Sequence, residues 1–198
     1  MIEQVRKKIK EDPSVENEWD NYLQEMMQTL KLKNVQAVVN WVQLGNGHLA
    51  IGHRPGKKIS YEGLKKAGTS IVVTLLHENE GALPIGKHIH DVNMEWIWFP
   101  FSASKPHSGE ELIMVVDLFN KLSHGLDSGK KIYIHCSAGI HRTGMIAYGL
   151  LRFLGKDKPE ALKLLESLRM VTSMQVGENR LLWADQFKKN PQEDNNSV

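Results

Sequence analysis

The chain has 198 residues, 41% of them hydrophobic and 24% charged, and a formal net charge of +2. That length suits one domain with its own core, and the near-neutral charge carries no electrostatic footprint for nucleic acid or a membrane surface. The single cysteine excludes an internal disulfide and a cysteine-rich zinc site.

The first residues, Met1 to Lys8, lack the apolar run of a signal peptide, and no stretch of membrane-spanning length follows. With a lone thiol that needs reducing conditions, this predicts a cytoplasmic protein. Residues 1–35 read as a helical extension, with an apolar stripe of Trp19, Tyr22, Leu23, Met26, Met27 and Leu30. The domain proper is expected over 36–189, and the polar residues 190–198 as a flexible tail.

Within the domain, Val38 to Val42 and Leu49 to Ile51 flank Gly45-Asn46-Gly47, a hairpin signal. Ser60 to Ala67 predicts a short helix closed by Gly68. Ile71 to Leu76 is a continuous apolar run, as in a parallel strand covered on both faces. His88 and His90, with Asp91, His77 and Glu78 nearby, carry metal-ligand residue types, and a strand would set His88 and His90 on one face. No further ligand motif accompanies them, so no metal is expected and the segment reads as a polar loop. Glu95 to Phe99 is a strand ended by Pro100. Ser108 and Glu111 form a capping box for a helix that buries Leu112, Val115, Val116 and Phe119. Strand 131–135 and helix 143–154 follow, then a helix capped by Asp157 with Glu160, and a last one near 178–188. Strands alternating with helices predict an α/β fold, with a central mixed, mostly parallel sheet of about four to five strands flanked by helices.

The chemistry concentrates between strand 131–135 and the helix after it. Five residues, Ser137, Ala138, Gly139, Ile140 and His141, separate Cys136 from Arg142. A tight loop of that length can curl its backbone N–H groups inward as an anion-binding nest, and the helix start adds its positive end. Such a field lowers a thiol pKa, making Cys136 a thiolate near neutral pH and a nucleophile aimed at phosphorus. Arg142 can fork two hydrogen bonds onto phosphoryl oxygens.

His135, Cys136, Gly139, Arg142, Thr143 and Gly144 match His-Cys-x-x-Gly-x-x-Arg-Thr-Gly, so the chain resembles the cysteine-based protein tyrosine phosphatases. Residues 36–188 are also similar in pattern to the small dual-specificity phosphatases. The resemblance implies hydrolysis of phosphotyrosine or mixed phosphoprotein monoesters through a phosphocysteine on Cys136. Arg142 would hold the phosphoryl group and residues 137–142 would line the pocket. His135 would fix the loop, and Thr143 would ease departure of the thiolate. It implies no cofactor, and a monomer whose partner is a phosphorylated protein or small molecule. Phosphoanhydride (RNA 5′-triphosphatase) and inositide substrates of the same superfamily, or a phosphate-binding pseudophosphatase, are the alternatives.

One element of the family pattern is missing. The family carries an aspartate as general acid in a loop ahead of the cysteine, and Phe99 to Ser108 contains none. A general acid contributes roughly a hundred- to ten-thousand-fold. Asp91 is the first replacement to consider, with His107 and Glu110 behind it. Gln175 and Asn179 are candidates to position the hydrolytic water, or simply to cap the last helix.

Overall fold

The computed structural model describes residues 39–56, 58–104 and 109–188. The N-terminal extension, His107, the Ser108 cap and the tail lie outside the described residues.

A two-residue turn sets the first register. Gly45, at φ +60°, and Asn46 join β1 (Val42–Leu44) to β2 (Gly47–Gly52), pairing Leu44 with Gly47, Gln43 with His48 and Val42 with Leu49. The antiparallel pairing uses residues 42–44, and Asn40 and Trp41, expected in the same strand, precede it. The other strands are β3 (Ile71–Thr74), β4 (Glu95–Trp98) and β5 (Lys131–His135). The sheet order is β1-β2-β5-β3-β4, with every pair after the first parallel. β5 lies between β2 and β3, and its residues 132–135 are completely buried, which accounts for its unbroken apolar run.

That register decides where chemistry can occur. Gly52 and Thr74 both pair with His135, so β2, β3 and β5 end level with one another. The segments that leave them meet at the carboxyl edge, the usual place for ligands in such sheets.

The helices are α1 (Tyr61–Lys66), α2 (Ala82–Asp91), α3 (Gly109–Asp127), α4 (His141–Phe153), α5 (Lys158–Leu168), α6 (Met170–Gln175) and α7 (Glu178–Ala184). Ser60 and Asp157 cap α1 and α5, accepting from the N–H groups of Gly63 and Glu160. α4 is buried from Thr143 to Leu151, as expected of a helix with neighbours on several sides. Its glycines allow close approach: a side chain on Gly149 would meet the Phe119 ring of α3.

α2 corrects the expectation of a polar loop. Ala82, Ile85, Gly86 and Ile89 form its buried face, and a Cβ on Gly86 would run into the Trp96 indole. On a helix, residues two apart diverge by about 200°. His88 therefore stacks on Tyr61, whereas His90 meets the edge of Trp96. Among the described residues, no three His, Cys, Asp or Glu side chains gather as a metal site, and no helix is long and apolar enough to cross a membrane.

Candidate active site

β5 delivers Cys136 to the carboxyl edge, and α4 opens with His141 and Arg142. The turn between them needs Gly139, which sits at φ +68°. A Cβ there would collide with the backbone carbonyl of Gly52. From this position the Gly139 N–H donates to Cys136 Sγ at 3.2 Å.

The outer side of the loop is tied down. The Arg54 N–H donates to Ser137 O at 3.1 Å. Arg169 Nη1 donates to Ala138 O at 3.0 Å and Gly139 O at 2.8 Å, and the Thr172 hydroxyl donates to Gly139 O at 2.7 Å. With its carbonyls held outward, the loop directs its N–H groups toward the sulfur. Burial by itself would push the Cys136 thiol pKa up. The Thr143 hydroxyl and the N–H groups of Thr143, Gly139 and Ile140 outweigh it and hold the thiol below its ordinary value. Thr143 Oγ1 is buried without a conventional hydrogen bond, so it acts as a dipole beside the sulfur.

His135 is completely buried, and its tautomer follows from its partners. Nδ1 lies 3.1 Å from the Cys136 carbonyl, which can only accept, so Nδ1 carries the proton. Nε2 then accepts from the Thr74 hydroxyl at 2.9 Å, and Thr74 Oγ1 in turn accepts from Trp96 Nε1 at 2.9 Å. This chain of bonds holds the cysteine's backbone from below. Burial lowers the His135 pKa from 6.5 to about 4. The unfolded chain takes up this proton near pH 6.5 and the native one only near pH 4, so acidification between those values favours unfolding. The unfolding midpoint, followed by circular dichroism, is expected to fall across that window. His135→Asn, which cannot titrate, flattens that part of the curve.

Arg142 meets an unexpected partner. Nη1 and Nη2 donate to the two carboxylate oxygens of Glu80 at 2.6 and 2.7 Å, and Nη1 also reaches Leu75 O at 3.2 Å. The Arg142 guanidinium holds the Glu80 carboxyl well down, at about 2. Glu80 ends a short 3-10 turn, Glu78–Glu80, after β3, and Arg54 Nη1 donates to its carbonyl at 3.1 Å. The pair fixes the plane of the guanidinium beside the loop.

These groups line a cavity of about 640 Å³, in the range of ligand sites. Cys136, Ser137, Ala138, His141 and Arg142 form one wall; His77, Asn79, Glu80, Ser102, Ala103 and Ser104 form the other, and Arg180 joins them. Gly139 and Ile140 stand behind the first wall, turning their N–H groups to the sulfur. Asp91 is not brought here: it ends α2, its carboxylate pairs with Lys87 at 3.3 Å, and its side chain is 56% exposed. The α2 helix carries it away because the segment after Gly81 is helical and not extended. His107 lies outside the described residues, and Glu110 is an exposed residue of α3. Gln175 and Asn179 are exposed and absent from the cavity wall; from that segment it is Arg180 that reaches it. Glu80, Arg169, Thr74 and Arg180 carry no local motif, and sequence reasoning missed all four.

Solved structures share this architecture. Tk-PTP in its active form superposes with a TM-score of 0.57 at 17% identity, covering 77% of this chain and 97% of its own. A kinase-associated phosphatase whose catalytic cysteine was replaced by serine gives 0.60 at 16% identity, covering 75% and 92%. A protein tyrosine phosphatase from Leishmania major gives 0.58 at 15%, covering 76% and 99%. The chain has the protein tyrosine phosphatase fold. No family profile and no curated protein matches the sequence. In this phosphatase fold, the Cys136–Arg142 loop occupies the junction of the central strand and the most buried helix.

Proposed function

We propose that this chain is a cysteine-dependent phosphatase that hydrolyses phosphate monoesters, with phosphotyrosine or mixed phosphoprotein substrates, through a phosphocysteine on Cys136. The observation that carries the reading is a thiol with a lowered pKa, 3.2 Å from a loop N–H, in a cavity it shares with a forked guanidinium. Cys136 Sγ attacks phosphorus and the ester oxygen departs with its electron pair. Arg142 and the loop N–H groups bind the three equatorial oxygens, where charge accumulates. Water then attacks phosphorus, the S–P bond returns its electrons to Sγ, a departure the Thr143 dipole favours, and the water's proton leaves to solvent with orthophosphate. The reading needs no cofactor, and its setting is a cytoplasmic monomer. Solved relatives of the same fold support a phosphorylated substrate; one of them, PTPMT1, was determined in complex with PI(5)P.

Rapid acid quench during turnover of 4-nitrophenyl phosphate tests the proposal. Mass spectrometry is expected to find a phosphoryl adduct on the peptide that contains Cys136. Turnover without that adduct, with the adduct also missing at the shortest quench times, removes the thiolate mechanism.

A further inference from the structure

One guanidinium governs two peptide planes of the loop that carries Cys136. The Ala138 carbonyl accepts from Arg169 Nη1 at 3.0 Å, and the N–H of that same peptide unit is Gly139's, which donates to Cys136 Sγ at 3.2 Å. The Gly139 carbonyl accepts from Arg169 Nη1 at 2.8 Å, and the N–H across that peptide is Ile140's, another of the groups that hold the thiol down. A peptide unit is planar, so fixing its carbonyl fixes the direction of its N–H. Arg169, between α5 and α6, therefore aims two of the donors that face the sulfur.

Arg169 is steered in turn by His53, in the segment after β2. Arg169 Nη2 lies 2.7 Å from His53 Nε2. A guanidinium can only donate, so Nε2 carries the lone pair and the ring is neutral, with its proton on Nδ1. The charged groups that face the ring are both cations: Arg169, and Lys58 of the same segment, whose Nζ lies 3.5 Å from the same nitrogen. From β5, the Tyr133 hydroxyl donates to the His53 carbonyl at 2.8 Å, and burial raises its pKa and keeps it neutral. Burial, Arg169 and Lys58 together lower the His53 pKa below its ordinary 6.5, so the ring gains a proton only in acid. A proton on Nε2 would set an N–H against the guanidinium and remove its acceptor.

Resting on the phosphatase reading above, we infer that His53 is a positioning residue that makes the Cys136–Arg142 loop sensitive to acid. Neutral, it holds Arg169 across the two peptides. Protonated, it releases Arg169 and lets their N–H groups turn away from the sulfur and the phosphoryl oxygens.

The test compares kcat/KM for 4-nitrophenyl phosphate in wild type, His53→Gln and His53→Leu between pH 5 and pH 7.5. Gln offers Arg169 an acceptor that does not titrate, and Leu offers none. Dividing by wild type removes the titrations that the proteins share, those of Cys136 and of the substrate. The Gln-to-wild-type ratio is expected to rise by about tenfold as the pH falls, the scale of one charge-assisted hydrogen bond, and Leu to lose about tenfold near pH 7.5. Sulfate, which does not titrate in this range, gives a second reading without turnover when its binding to Cys136→Ser is followed by calorimetry. A nearby positive charge would by itself strengthen binding of an anion. The His53–Arg169 relay predicts the reverse: relative to the same variant carrying His53→Gln, sulfate affinity should fall in acid. A Gln-to-wild-type ratio that stays flat with pH, or a relative sulfate affinity that holds or rises in acid, overturns the inference and leaves the phosphatase reading standing. Sulfate binding that weakens in acid as expected, in a protein that turns over no aryl phosphate and forms no phosphocysteine, upholds the relay and removes the phosphatase reading.

Discussion

Cys136→Ser is expected to lower turnover of 4-nitrophenyl phosphate by about 10⁴-fold or more, the scale seen when a covalent nucleophile is removed. The reason lies in what the loop can ionise. Its N–H groups and the Thr143 dipole overcome the burial of a thiol and hold its pKa below the ordinary value. A serine hydroxyl starts several units higher, and the same groups leave it protonated and unreactive. Binding should survive, since the nest is backbone and Arg142 is untouched. Orthophosphate should therefore still bind the variant in calorimetry while turnover is gone. In wild type the rate should fall on the acid side as Cys136 takes up its proton, and in Cys136→Ser that limb should be absent. Residual turnover within tenfold of wild type would mean that another group attacks phosphorus.

Arg142→Lys is expected to cost about 10²- to 10³-fold in kcat, the scale of removing a preorganised donor from a developing oxyanion. The charge is retained, so the loss reports geometry. Lysine is a point charge on a flexible stem, with no fork to match both Glu80 and the phosphoryl oxygens. Glu80→Gln gives the complementary result. It keeps the size of the partner but removes the charge that orients the guanidinium, and a loss of about tenfold is expected, chiefly in kcat. Because Glu80 is ionised down to about pH 2, its effect on Arg142 should not vary between pH 5 and pH 8. In the double variant the two losses should fall short of additivity, since Glu80 acts only through Arg142. Full additivity, measured by a double-mutant cycle on kcat, would dissolve that coupling.

The candidate nucleophile and the alternation of strands with helices were legible in the sequence because both are local. A strand, a tight turn and a helix start lie within residues 131–144, and the spacing from Cys136 to Arg142 can be counted without knowing what surrounds it. The apolar run of β3, the Asp157 cap and the Gly45-Asn46 turn are of the same kind, since each depends on contacts a few residues apart. α2 was partly legible. Ala82, Ile85, Gly86 and Ile89 have helical spacing, but Pro84, Gly86 and two histidines obscured it, and only the close approach of Gly86 to Trp96 accounts for the glycine.

What lay beyond the sequence was decided by chain segments far from Cys136. Glu80 reaches Arg142 across 62 residues, Thr74 reaches His135 across 61, and Arg169 clamps the loop from 30 residues further on. Such partners obey no short-range period, because their meeting depends on β2, β3 and β5 ending level at one sheet edge. The same tertiary placement removed Asp91 from the site and turned Arg180 toward it. The sequence by itself determined that a thiolate and a guanidinium would share a loop. The tertiary structure decided which charges face them, because a side chain's electrostatic surroundings depend on its neighbours in space and not on those along the chain.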